Sequence, residues 1–305
     1  MDSVIMFSGQ GSQKVGMCKD IYDNFYAFRQ TVEEASDALG FDVAKLCFED
    51  AEGLTKTEYA QPALVTMGIA SYRLLEKEGF KPKFFMGLSL GEYTALVAAG
   101  IMDFSKTLRL VYRRGLLMNQ YAKAGSMAAV MADVDVVEDI VKTNQAHGTL
   151  VCANYNTPMQ TVISGDATAV DAALSQIKGM KDAKAMPLKV SGPFHSPLMA
   201  EAATRLKEEM EGIVPDGFVT GPVISNVDAE VLATDDLKQQ LFDHMVGSVY
   251  FWQSLRKVKD LGIRRTIELG SGDTLVKFVQ KTYDYIDAFS IETAFDLEDK
   301  LRIRI

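Results

Sequence analysis

Apolar and polar positions alternate along this chain between short unbroken apolar runs and longer stretches with helical spacing, the pattern of strands and helices taken in turn. Val4-Ile5-Met6-Phe7-Ser8 is a run of the kind a strand covered on both faces requires, and it leads into Gly9-Gln10-Gly11-Ser12-Gln13. A helical pattern covers residues 62–77. Phe84-Phe85-Met86 suits a second short buried strand, and residues 92–99 suit a helix start. Another helix is expected over 105–121, where Leu108, Val111, Tyr112 and Leu116 recur at core spacing while Arg109, Arg113 and Arg114 interrupt them. At Lys123-Ala124-Gly125 the texture changes. From there the pattern predicts strand 127–133, helix 136–145, strands 150–154 and 161–165, helix 167–178 and strand 183–189, a βαββαβ order of the ferredoxin-like kind. After Ser191-Gly192-Pro193 the larger pattern resumes, with helices near 198–211, 235–245 and 251–260. A strand over 265–269 then runs into Gly270-Ser271-Gly272 and a helix. Beyond Tyr285 the pattern is weak.

The expectation is an α/β fold. A large α/β-hydrolase-like domain with a mostly parallel sheet comprises residues 1–123 and 191–305, and a ferredoxin-like subdomain is inserted at 124–190.

Between the second strand and its helix lies Gly87-Leu88-Ser89-Leu90-Gly91. This is the G-x-S-x-G pattern of a nucleophile elbow, in the strand–turn–helix context that motif needs. Its glycines suit a turn so sharp that a Cβ would strike neighbouring backbone, and its serine stands at the positive end of a helix. Five residues alone are also satisfied by a glycine-rich turn with an incidental serine.

A serine nucleophile needs a base, and the chain holds three histidines. His147 sits in an expected loop beside Gly148, as a solvent-exposed residue would. His244 lies in a helical pattern with Leu241 and Met245, which suits a helix-surface or packing role. His195, in Val190-Ser191-Gly192-Pro193-Phe194-His195-Ser196-Pro197, is flanked by Gly and Pro on a stiff loop between elements, where a positioned catalytic group is commonly displayed. No obvious catalytic acid stands out between Ser89 and His195, whereas α/β-hydrolases follow the order Ser, Asp or Glu, His with the histidine near the carboxyl end. A Ser–His dyad with a main-chain carbonyl on the second imidazole nitrogen does the same orienting work.

Composition narrows the classes without choosing among them. The 305 residues are 48% hydrophobic and 24% charged, an ordinary globular balance. The formal charge of −9 argues against nonspecific nucleic-acid binding. No apolar run approaches a membrane span, and the opening residues lack the basic stretch and apolar length of a signal peptide. Cys18, Cys47 and Cys152 are scattered, without the spacing of a zinc site or disulfide framework, so a reduced, cytoplasmic protein without a metal is expected.

Taken together, Gly9–Gln13, Gly87-Leu88-Ser89-Leu90-Gly91-Glu92-Tyr93, Arg114-Gly115, Ala153-Asn154-Tyr155-Asn156-Thr157-Pro158 and Gly192-Pro193-Phe194-His195 occur in register over residues 1–285. The chain resembles the malonyl-CoA:acyl-carrier-protein transacylases of bacterial type II fatty acid synthesis, and is similar to polyketide synthase acyltransferase domains. The resemblance implies ping-pong transfer of malonyl from malonyl-CoA to the phosphopantetheine thiol of acyl carrier protein, by a monomer without a cofactor. It implies that Ser89 is the acylated nucleophile and His195 its base. Gln10 and Leu90 are the implied main-chain oxyanion donors, and Arg114 the partner of the malonyl carboxylate. A planar guanidinium suits a carboxylate, which it grips with two parallel hydrogen bonds. Phe194, Met118, Asn154 and Asn156 are further candidates for the acyl pocket, and the Phe251 carbonyl is the implied support of the imidazole. An acidic carrier suggests a basic rim, with Lys181, Lys184 and Lys189 as candidates. Leu88, Phe251 and Asp273 depart from common family residues. The rival readings are a serine hydrolase or thioesterase with the same elbow, a polyketide acyltransferase acting in trans, and a non-enzymatic scaffold.

Overall fold

The computed structural model describes residues 2–212, 219–234 and 236–303. The two apolar runs become neighbours: β1 (Val4–Phe7) and β2 (Phe84–Gly87) pair in parallel, with Val4 opposite Phe84 and Phe7 opposite Gly87. Four strands, β3 (Ser126–Met131), β4 (Leu150–Thr157), β5 (Gln160–Gly165) and β6 (Lys184–Pro187), form a separate antiparallel sheet in the order β4-β5-β3-β6. Helices Val134–Asn144 and Ala167–Lys178 complete the expected βαββαβ sequence and close a small apolar core around Val130, Ile140, Ile163 and Val170. The chain then returns to the first sheet through β7 (Val219–Ile224), β8 (Val231–Thr234), β9 (Arg265–Leu269) and β10 (Asp287–Ile291). Its order is β10-β9-β1-β2-β7-β8, parallel throughout except for the β7–β8 hairpin. The whole is a mixed α/β fold with a mostly parallel main sheet.

The period of two along β1 explains why both faces are apolar. Ile5 and Phe7 face a core that includes Val65, Met67 and Ile69 of the helix Thr57–Lys77. Val4 and Met6 face the opposite core, with Phe251 and Leu255 of helix Phe251–Asp260 and Leu275 and Phe278 of helix Thr274–Thr282. β1 and β2 end on the same edge, so the segments that leave them, Ser8–Gln10 and Leu88–Ser89, are brought together at the carboxyl ends of parallel strands. Open α/β sheets place ligands there.

Several element ends differ from the sequence expectation. The helix expected over 62–77 starts at Thr57 and carries Pro62 in its second turn, where the ring leaves the Glu58 carbonyl without its i→i−4 donor. The expected start at Asp235 lies outside the described residues, and that helix runs Leu237–Val246. Residues 19–49 hold three helices, Lys19–Asn24, Tyr26–Leu39 and Val43–Glu49, that no expectation named. The weakly patterned tail forms β10 and helix Ala294–Leu301. No helix among the described residues is long and apolar enough to cross a membrane.

Candidate active site

Steric necessity builds the elbow. A Cβ on Gly91 would overlap the Phe7 carbonyl at the end of β1, and one on Gly87 would overlap the Gly91 carbonyl. Only glycine permits so close an approach of β2, the turn and helix Leu90–Ala98. Ser89 is left with φ 54° and ψ −110°, a conformation that costs a non-glycine residue on the order of 1–3 kcal/mol and persists only where its surroundings enforce it. His195 also has positive φ, at 55°. The two side chains meet: Ser89 Oγ lies 2.7 Å from His195 Nε2.

The tautomer follows from the other ring nitrogen. His195 Nδ1 is 2.9 Å from the main-chain carbonyl of His244, which can only accept, so Nδ1 carries the proton and Nε2 presents its lone pair to the serine hydroxyl. Burial, aided by the charge of Arg114, pulls the His195 imidazole down to about 4, against a smaller opposing effect of its main-chain bonds. It is therefore a neutral base at pH 7. This geometry corrects the expectation for Phe251. The carbonyl holding the imidazole belongs to His244, in the last turn of helix Leu237–Val246, whereas Phe251 lies in the core on the opposite face of the main sheet, against Phe278. His244 is fully buried rather than on a helix surface, its ring 5.4 Å from that of His195 and 6.0 Å from Tyr93.

Arg114 projects from helix Phe104–Tyr121 and is only 2% exposed. Its guanidinium stands 5.3 Å over the Tyr93 ring, its Nε has no acceptor, and among the described residues no carboxylate lies within ion-pair distance. The neighbouring Gly115 lets this helix pack against Thr57–Lys77, since a Cβ there would strike the Glu58 main chain. Arg113 turns outward to Glu209 and Arg109 reaches the Ala38 carbonyl.

A cavity of about 250 Å³ joins these groups. Gln10, Ser89, Arg114, Met118, Asn154, Asn156, Phe194 and His195 all line it, with Leu88 and Lys189. Leu90 does not line it through its side chain, but its N–H is the first of helix Leu90–Ala98, and no protein acceptor among the described residues takes it or the N–H of Gln10. A larger, open groove along Asp228, Tyr250 and Arg256 lies away from Ser89 and holds no comparable convergence of chemistry. Asp273 is not at the cavity; it pairs with Lys277.

Several residues of the site carried no signal read from the sequence. Thr57 and Gln61 hold the Gln10 side chain at 3.1 and 3.2 Å, and Thr57 meets Ser191 Oγ at 3.2 Å. Asn226 accepts the Ser89 N–H at 2.8 Å. Glu92, buried in the helix after the elbow, has its carboxyl pushed up to about 8 by desolvation, which outweighs the bond from the Asn226 N–H. A charged residue in the otherwise apolar segment Leu90-Gly91-Glu92-Tyr93-Thr94-Ala95-Leu96 was the one available signal.

The acyl transferase domain model matches residues 4–295. The chain belongs to the acyl transferase domain family. It is 41% identical to the malonyl CoA-acyl carrier protein transacylase of Bacillus subtilis over 283 residues, 90% of this chain and 89% of that one. It is 38% identical to a polyketide biosynthesis malonyl CoA-acyl carrier protein transacylase of Bacillus velezensis, covering 93% and 97%. Among solved structures, the malonyl CoA-acyl carrier protein transacylase of Clostridium perfringens superposes with a TM-score of 0.93 at 36% identity, covering 99% and 96%. For this acyltransferase the geometry provides a hydroxyl already bonded to a neutral base, a fixed cation nearby, and two free N–H groups on the flanking turns. No cluster of His, Cys, Asp or Glu suited to a metal occurs among the described residues.

Proposed function

We propose that the chain transfers malonyl from malonyl-CoA to the phosphopantetheine thiol of acyl carrier protein through a malonyl-Ser89 intermediate, supplying extender units for fatty acid synthesis. The observation that carries this reading is the buried, carboxylate-free Arg114 in the same cavity as the Ser89–His195 pair. An uncompensated cation in a closed site favours a ligand that brings its own carboxylate and disfavours a neutral acyl group.

The steps follow. The malonyl carboxylate docks on Arg114. His195 Nε2 takes the Ser89 proton as Oγ attacks the thioester carbonyl, and the oxyanion is met by the N–H groups of Gln10 and Leu90. One such donor is worth about 2.7–4 kcal/mol. The imidazolium returns its proton to the departing CoA sulfur. In the second half-reaction His195 deprotonates the carrier thiol, whose sulfur attacks the ester, and Ser89 Oγ leaves with the proton. Both thiols end the same pantetheine arm, so one site serves both halves, with CoA thioester as substrate and no cofactor. Phe194 and Met118 crowd the acyl chain, and Asn154 and Asn156 border it.

We read residues 1–123 and 191–305 as an α/β-hydrolase-like catalytic domain and 124–190 as a ferredoxin-like subdomain, supported by the second-third-first-fourth strand order of the small sheet. The site lies between them. The enzyme acts as a cytoplasmic monomer, and Lys189, exposed at the cavity rim, together with Lys181 and Lys184, receives the acidic carrier.

A hydrolase with the same elbow is separated by product. Incubation with malonyl-CoA alone releases at most one equivalent of CoA and little free malonate, while holo carrier protein restores turnover. Sustained malonate release without the carrier contradicts transfer.

A further inference from the structure

Ser89 is strained, and the main-chain bonds of its own turn hold its carbonyl but not its N–H. Ordinary L residues leave the region near φ 54°, ψ −110° unless restrained. The restraint comes from Asn226, 137 positions away and fully buried in the turn between β7 and β8. Its Oδ1 accepts the Ser89 N–H at 2.8 Å, and its Nδ2 donates to the Gly87 carbonyl at 2.7 Å. One side-chain amide thus spans both ends of the Gly87–Leu88–Ser89 turn, as a neighbouring strand would. Asn226 is itself fixed: its N–H donates to Glu92 Oε2 at 2.5 Å, and its carbonyl accepts the Tyr250 N–H at 2.9 Å.

Two consequences follow from this bonding. The Ser89 N–H is occupied and cannot serve the oxyanion, whereas the N–H of Leu90, next along the chain, has no acceptor among the described residues. The bond to Tyr250 also ties the elbow to the segment running back through Gly247 to His244, whose carbonyl orients His195.

We infer that Asn226 is a positioning residue of the acyl transfer, its side-chain amide holding the elbow in the one conformation that sets Ser89 Oγ against His195 and aims the Leu90 N–H at the oxyanion. The inference rests on the acyl-serine reading above. It touches neither the cation that binds the substrate nor the base, so its loss slows chemistry rather than binding. Displacements of about an ångström at a reacting group lower rates by as much as 10²-fold.

The test is single-turnover acylation by malonyl-CoA, followed by mass spectrometry of the intact protein. Asn226→Ala lowers the acylation rate constant by about 100-fold while KM for malonyl-CoA stays within about threefold of the parent value. Asn226→Asp, of nearly the same shape, provides a second readout. Only its protonated carboxyl can donate to the Gly87 carbonyl while accepting from Ser89, so its rate relative to the parent rises as pH is lowered from about 8 to about 6. The ionisable groups near that side chain are Glu92, which takes the Asn226 N–H, Asp228, whose charge raises Glu92, and His195 across Ser89. His195, at about 4, stays neutral through this window in the parent, and Glu92, near 8, takes up its proton at the upper edge of the window. The same ratio is therefore also measured in a Glu92→Gln background, where only residue 226 is left to titrate. An Asn226→Ala rate within threefold of the parent overturns the inference. So does an Asn226→Asp ratio that is constant with pH, which is decisive even where the alanine variant does not fold. Failure of the parent protein to acylate Ser89 sinks the functional reading instead, and so the two failures are told apart.

Discussion

Replacing Arg114 with methionine removes the charge while keeping the volume of the side chain, and it separates two effects of a buried unpaired cation. In the free enzyme that cation is 2% exposed, has no carboxylate partner among the described residues and stands over the face of Tyr93, a contact of about 0.5–2 kcal/mol. Exchange of such a charge for an apolar group of similar size is commonly neutral or stabilising. The Arg114→Met protein is therefore expected to melt at the same temperature as the parent or above it. In the substrate complex the guanidinium makes up to two charge-assisted bonds to the malonyl carboxylate, each worth about 1.5–3 kcal/mol. Losing both costs about 3–6 kcal/mol, or roughly 10²–10⁴-fold in kcat/KM for malonyl-CoA at about 1.4 kcal/mol per tenfold. Acetyl-CoA has no carboxylate to lose, so its kcat/KM is expected to hold or rise. The assay is competition between malonyl- and acetyl-CoA for one holo carrier protein, with products resolved by mass, alongside a melting curve. A malonyl preference within about fivefold of the parent value in a folded variant refutes the carboxylate role. A large drop in melting temperature refutes the view that this charge is held against stability for the sake of the ligand.

The site also titrates in definite directions. His195 works as the neutral base and sits near 4, below the ordinary imidazole value, so the acid limb of kcat/KM is expected near pH 4; a limb near about 6.5 contradicts the burial argument. Because the unfolded chain takes up that proton first, this histidine withdraws stability as pH falls from about 6.5 towards 4. Glu92 acts in the opposite sense. Its folded value near 8 exceeds the unfolded 4.5, so the stability it contributes in acid is lost as pH rises through 8. Glu92→Gln is expected to melt like the parent near pH 5 and above it near pH 9, and parallel curves across that range count against a buried charge. Gly91→Ala places a methyl inside the contact distance of the Phe7 carbonyl, where β1 cannot move without opening the sheet. A loss of about 3 kcal/mol or more in chemical denaturation is expected, and a loss under about 1 kcal/mol shows the elbow to be less tightly packed than described.

Local pattern made much of the fold readable. Helix Ala167–Lys178, helix Phe251–Asp260 and β9 have the bounds their periodicity indicates, and the βαββαβ order of the small sheet follows from alternation within 126–187. The tail did not yield to the same reasoning because β10 is an edge strand whose residues are mostly only half-covered, which blurs the apolar signal. A capping box at Thr293 and Asp296 was present and marks the helix that follows. At the site, residues with a local signature were legible: the serine by its glycines, the histidine by its stiff loop. Residues that act across the fold were not. Asn226 has no motif, and its role comes from an amide that reaches over a turn far away in sequence. The carbonyl on His195 was assigned to Phe251, because any main chain can supply a carbonyl; only the path of helix Leu237–Val246 selects His244.

Mass spectrometry of the protein after brief mixing with malonyl-CoA, with no carrier present, reads the covalent step on which the rest depends. One malonyl group is expected, mapped to Ser89 after digestion, discharged by holo carrier protein, and absent from His195→Ala. An unmodified protein, or a malonyl group on a residue other than Ser89, contradicts the account.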